Sequence, residues 1–187
     1  MSGTMEHAAR RVLAAALVEA FETGNPIVPL SADLRPPDIA AGEAIAEDVL
    51  DALGLPPSGL RISPGPHGAM LAGPMLDARL LASGARVALG TLRHPRLSTA
   101  AIGVLAEPLG TGAPRFAAIL PALDIAGSRF RDGAQDDAAA AADLAGLGLI
   151  VAGRRAAWDG SGAAAALTKG KARPRDVPVD LEASFAA

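Results

Sequence analysis

Residues 5–24, MEHAARRVLAAALVEAFETG, set Val12, Leu13, Leu17, Ala20 and Phe21 near helical spacing among strong helix formers and close on Gly24, a residue type that readily ends helices. The pattern predicts an amphipathic helix. Residues 25–38, NPIVPLSADLRPPD, are punctuated by prolines and predict extended chain. Asp38 then stands as N-cap to a second amphipathic helix over 39–54, where Ile39, Ile45, Val49 and Leu53 share a face and Gly54 closes the end.

From 55 to 78 glycine and proline dominate, which predicts a short strand near 59–62 followed by a loop able to line a site. ARLLASGARVALG, 78–90, reads as a hairpin turning at Ser83-Gly84, and RLSTAAIGVLAEPLG, 96–110, as a strand that Pro108 terminates. In APRFAAILPALDIAGSRF, 113–130, a short helix is expected before Pro121 and a strand holding Asp124 after it. DDAAAAADLAGLG, 136–148, predicts a helix with acids in its first turn, where they suit the positive end of the dipole. LIVAG, 149–153, reads as a buried strand, AAAALTKG, 163–170, as another, and VPVDLEASFAA, 177–187, as the start of a helix. Helices followed by strands with interspersed helices, without regular alternation, favour an α+β fold over a doubly wound sheet. The expected organisation is an N-terminal helical region, 1–54, and a β-rich region, 55–187, as one structural unit.

Half of the 187 residues are hydrophobic, enough for one domain with a substantial core. The formal net charge is −3 with both signs mixed along the chain, so no basic stripe suggests nucleic acid as a partner. Glu6, Arg10, Arg11 and Glu19 interrupt the N-terminal apolar stretch, so no membrane span is expected and the expected location is the cytoplasm. There is no cysteine, which removes disulfides, thiolate metal sites and a cysteine nucleophile. Aromatic residues are 3%, leaving few platforms for stacking a nucleotide or flavin.

The chain lacks a P-loop, an H-E-x-x-H pair, a G-x-S-x-G elbow and a dinucleotide fingerprint. His7 falls among charged residues on the first predicted helix, whereas His67 and His94 fall in loops where a ligand contact is open to them. Asp124 is the most informative acid. Alternation in a strand places it on one face with Ala122, Ala126 and Ser128, small neighbours that leave room for a ligand, and Arg61 or Arg129 would keep it ionised. An exposed edge-strand acid or a capping residue is the competing reading.

Four segments together carry a family resemblance: AARRVLAAALVEAFETGNPIVPLS (8–31), GLRISP (59–64), GPMLDARLLASGARVALGTLRHPRLSTAAIGVLAEPL (73–109) and ILPALDIAGSRFRDGAQDDAAAAADLAGLGLIVAG (119–153). They resemble the 2-keto-4-pentenoate hydratases of the fumarylacetoacetate hydrolase superfamily. The resemblance implies a mixed β-roll with N-terminal helices, an oligomer, and hydration or decarboxylation of a small 2-oxo acid from aromatic catabolism. It also implies Mg²⁺ or Mn²⁺ held by three carboxylates, with an assisting lysine; the metal would chelate the 2-oxo carboxylate and stabilise an enolate.

At the places of the first two ligands this chain has Ser98 and Ala100; the third is Asp124, one methylene shorter than the family's glutamate. Arg61 stands at the lysine position, and an arginine stays protonated and cannot act as a base. In the later A-D-N stretch Ala142 and Asp143 match, and Leu144 replaces the asparagine. Two expectations follow. In the first, a divergent lyase uses Asp124 as base or sole metal ligand, and Arg61, Ser98, Ser128, Arg129 and His67 bind the acid. In the second, the chain is a non-catalytic binding or regulatory protein, or a partner subunit of an active enzyme.

Overall fold

The computed structural model of the chain describes residues 5–160, 163–165, 177–179 and 181. Helices and sheets mix without regular alternation, which is the expected α+β class. Contacts group the chain into two units that interleave along the sequence: one spans Met1–Arg79, Val87–Pro95 and Ala126–Gly148, the other Leu80–Arg86, Arg96–Ile125 and Leu149–Ala187.

The first unit holds helices α1 (His7–Thr23), α2 (Ile39–Leu53) and α3 (Asp137–Ala142), and the strands β1 (Gly59–Pro64) and β2 (Met70–Met75). Both long helices end as their sequences predict, on Gly24 at φ 74° and Gly54 at φ 63°, conformations that cost glycine little. Asp38 caps α2 by accepting a hydrogen bond from the Ala41 amide at 2.9 Å. Leu13 and Leu17 of α1 and Ile45 and Val49 of α2 are buried, so the apolar stripes meet in the core. At the half-exposed margin Arg10 grips Asp48 with both ends of its fork, at 2.5 and 2.6 Å, tying α1 to α2.

Every residue of α3 after Asp137 is a buried alanine, and this small-residue surface lets α2 come very close. A Cβ at Gly42 would collide with the Ala138 carbonyl oxygen and lie 2.9 Å from the Ala141 methyl. Asp136 caps α3 through the Ala139 amide, while Asp137 accepts from the backbone amides of His67, at 2.9 Å, and Ala69, at 3.3 Å. The second acid therefore pins the turn between β1 and β2.

The second unit is built on a sheet ordered β3 (Leu80–Ala82), β6 (Leu149–Ala152), β5 (Phe116–Ala126), β4 (Arg96–Leu105), with the short strand β7 (Ala156–Ala157) also paired to β5. A separate two-stranded piece joins β8 (Ala163–Ala165) to β9 (Val177–Val179).

The structure corrects the sequence reading in four places. Residues 70–75, expected as loop, form β2, antiparallel to β1; Gly73 and Pro74 are tolerated because this is a two-stranded sheet in which each strand has a free edge. The expected 78–90 hairpin is absent: Gly84 does turn the chain, at φ 87°, but β3 pairs in parallel with the distant β6. The short helix expected before Pro121 is strand, and β5 runs through the proline. Ala122 faces Ala152, whereas Ile119 faces Ala156, so the partner carries one extra residue between them; Pro121, which has no amide hydrogen, sits at this bulge, where its carbonyl accepts from the Gly153 amide at 2.7 Å. Finally, 177–179 is strand rather than the start of a helix, in keeping with two β-branched valines around a proline. Residues 166–170 of the expected 163–170 strand lie outside the described residues.

Candidate functional site

Residues expected to do chemistry fall in both units. In the second unit the neighbouring strands β4 and β5 carry Ser98, Ala100 and Asp124. Asp124 is 8% exposed and stands opposite Ile150, so it is a buried acid rather than an exposed edge residue. Ser98 is exposed and Ala100 half-buried. Mg²⁺ and Mn²⁺ require several hard oxygen ligands, and the donor set here is a hydroxyl, a methyl and one carboxylate. Among the described residues no three His, Asp or Glu side chains form a group able to hold a metal ion. The residues present do not fit the three-carboxylate centre.

In the first unit Arg61 is 7% exposed, and its guanidinium donates to the Ala145 carbonyl at 2.7 Å and to Ser63 Oγ at 3.0 Å. Ala145 has φ 50°, a left-handed conformation costly for a residue with a Cβ, and these bonds hold the turn after α3 in that shape. The same turn packs on β2 so tightly that a Cβ at Gly73 would fall 2.7 Å from the Ala145 methyl. Arg61 thus helps to hold the turn after α3. His67 lies exposed at the β1–β2 turn, where its amide donates to Asp137.

Ser128 and Arg129 converge on Asp143. Ser128 Oγ donates to Asp143 Oδ2 at 2.9 Å, the Arg129 amide donates to the same oxygen at 3.0 Å, and Arg129 Nε lies 3.2 Å from Oδ1. Arg129 also donates to the Leu147 carbonyl at 2.7 Å. Asp143 is 1% exposed. Burial pushes its carboxyl above the ordinary carboxylate range, while the charge of Arg129 and the two hydrogen bonds oppose the shift.

Beyond this buried pair opens a cavity of about 510 Å³, within the size range of small-molecule sites. Three remote stretches build it: the Ile27 amide donates to the Arg129 carbonyl at 2.9 Å, the Ser128 amide to the Arg93 carbonyl at 3.0 Å, and the Arg131 amide to the Ile27 carbonyl at 2.8 Å. Arg79, Arg93, Arg129 and Arg131 line it together with His94, and among the described residues no carboxylate does. The Phe21 ring carries two of these cations, Arg79 at 4.4 Å and Arg129 at 5.4 Å from its centroid. His94 has φ 47° and its Nε2 donates to the Arg131 carbonyl at 2.7 Å, which fixes the ring.

Arg79, Arg93 and Arg131 escaped the sequence reading because they are scattered along the chain and only the tertiary fold gathers them. The segment RFR, 129–131, was the one local signal.

No family model matches the chain, and no curated protein matches it. Solved structures do. The chain is similar to the structure of a 4-oxalocrotonate decarboxylase from Pseudomonas putida G7 complexed with calcium and acetate, at 17% identity and a TM-score of 0.68 over 82% of this chain. A second structure of that decarboxylase, complexed with magnesium and adipate, gives 18% identity and a TM-score of 0.71, again over 82%. The chain spans 65% and 66% of the length of these two structures. At such identity the likeness is one of fold, and the chain shares the fold of that 4-oxalocrotonate decarboxylase over the matched region.

Proposed function

We propose that the chain binds a small 2-oxo acid on this fold without the three-carboxylate metal centre, and that it acts as a binding or regulatory protein, or as a partner subunit, rather than as a metal-assisted lyase. The observation that carries the reading is the donor set on β4 and β5, where Ser98 and Ala100 flank the alternation that the resemblance fills with acids and only Asp124 keeps a carboxylate. The enolate chemistry of such lyases draws its stabilisation from a Lewis acid, and a lone carboxylate supplies proton transfer only. At the place of the assisting lysine stands Arg61, a residue type unsuited to act as a base, and its guanidinium donates to the Ala145 carbonyl. The divergent lyase with Asp124 as base is the alternative; the β-roll closure, the oligomer, the cytoplasmic location and the link to aromatic catabolism belong to the same proposal. Among the described residues no helix is long and apolar enough to cross a membrane.

Titration with pyruvate and oxalate, followed by calorimetry and by assay of decarboxylation and hydration products, tests this. Binding without turnover that weakens on Asp124→Ala is expected. Turnover that Asp124→Asn abolishes would establish the lyase instead.

A further inference from the structure

The arginine-lined cavity of the first unit goes beyond that reading, because it shares no residue with β4 or β5. Its charge is unusual for this chain, whose net charge is −3. Of the cations lining it, Arg129 is balanced by Asp143 and Arg131 lies 3.6 Å from the exposed Asp132. Neither Arg79 nor Arg93 has a carboxylate within ion-pair distance among the described residues. Among the described residues two positive charges are therefore left uncompensated around one volume, and the half-buried Arg79 is the more costly of them. Burial, and then the like charge of Arg129, lower its proton affinity from the ordinary arginine value. The Phe21 ring relieves part of that cost, and it also fixes the direction in which both guanidinium groups lie.

Geometry adds a second constraint. Asp143 and the Leu147 carbonyl hold the Arg129 guanidinium in place, and the Arg131 carbonyl holds the His94 ring through Nε2. Planar guanidinium forks match the oxygens of carboxylates and phosphates, and forks already oriented by the protein lose little freedom on binding. The volume of about 510 Å³ exceeds that of a bare inorganic ion and leaves room for a carbon skeleton.

We propose that this cavity is a binding site for a small organic dianion, its two negative charges on phosphate or carboxylate oxygens placed between Arg79 and Arg93, with Arg129 completing the grip. Asp143 is a positioning residue here: it orients Arg129 and does not meet the ligand.

The test is calorimetric titration of the whole protein with glycerol phosphate, succinate, inorganic phosphate and, as the monoanion, acetate. The dianions are expected to bind more tightly than acetate, and the preference between glycerol phosphate and succinate identifies the oxyanion. Arg93→Ala, at an exposed position, and Arg79→Gln are each expected to weaken binding roughly 10-fold or more, the usual effect of losing one charged hydrogen-bond donor. Arg11→Ala removes the same charge from an exposed helix position and leaves binding unchanged. Thermal melts show whether Arg79→Gln is folded; if it is not, Arg93→Ala alone decides. Dianion binding that is absent at millimolar concentration, or that is indifferent to Arg93→Ala, or equal to that of acetate, overturns the proposal. The 2-oxo acid reading is tested separately, on Asp124, so the two can fail independently.

Discussion

Replacing Asp143 by alanine is expected to destabilise the protein by about 3–5 kcal/mol, the range for removing one partner of a buried ion pair. The substitution strands the Arg129 guanidinium, which is 10% exposed, and leaves the Ser128 hydroxyl and the Arg129 amide without their acceptor. Chemical denaturation reads the loss directly, and a change below about 1 kcal/mol would show that water replaces the carboxylate, as at an exposed pair. Asp143→Asn keeps one oxygen for these donors and is expected to cost less. It also isolates a pH dependence. Because the folded-state pKa is raised above the ordinary 3.8, the folded chain holds the proton more tightly than the unfolded chain. The resulting stabilisation is complete below the unfolded value and is lost as pH rises through the folded one. The stability of the wild type relative to Asp143→Asn is therefore expected to fall as pH rises from about 4.

Gly42→Val is expected to cost about 3 kcal/mol, the upper part of the range for overpacking a core. Even the first added carbon meets the Ala138 carbonyl oxygen, a backbone atom that cannot rotate away, and the Ala141 methyl is 2.9 Å from the same point. Relief requires α2 to move off α3, which would open the contact around buried Ile45 and Val49. Gly24→Ala is the instructive contrast, because nothing lies within 4 Å of an added methyl there and only the φ of 74° resists it. A Gly42→Val protein as stable as the wild type would mean that the α2–α3 approach is looser than described.

These two effects mark where the sequence was informative and where it was silent. The helices α1 and α2 were legible because their signals are local: a stripe of apolar residues, an Asp cap at 38 and glycines at 24 and 54. The contact at Gly42 was not, since a glycine inside a helix reads as a weakness until its partner, a run of alanines almost a hundred residues later, is placed against it. Strands failed for the same reason. β3 reads as half of a hairpin, yet its partner is β6, and the proline in β5 is permitted only by a bulge that depends on how the neighbouring strand is paired. Among the site residues, Ser128, Arg129 and Asp143 were visible as a pattern, and the structure joins them into one buried cluster. Arg79, Arg93 and Arg131 carried no such pattern, because cations scattered over the chain become a site only when separate backbone segments converge.

Ser98, Ala100 and Asp124 on β4 and β5 were legible residue by residue, and they underlie our proposal that this chain works without a three-carboxylate metal centre. Calorimetric titration of the purified, chelator-treated protein with Mg²⁺ and Mn²⁺, in the presence and absence of oxalate, tests it most directly. The account predicts no metal binding at millimolar concentration and an oxalate affinity that metal leaves unchanged. Oxalate binding that appears only with Mg²⁺ or Mn²⁺ and is lost in Asp124→Ala would contradict it.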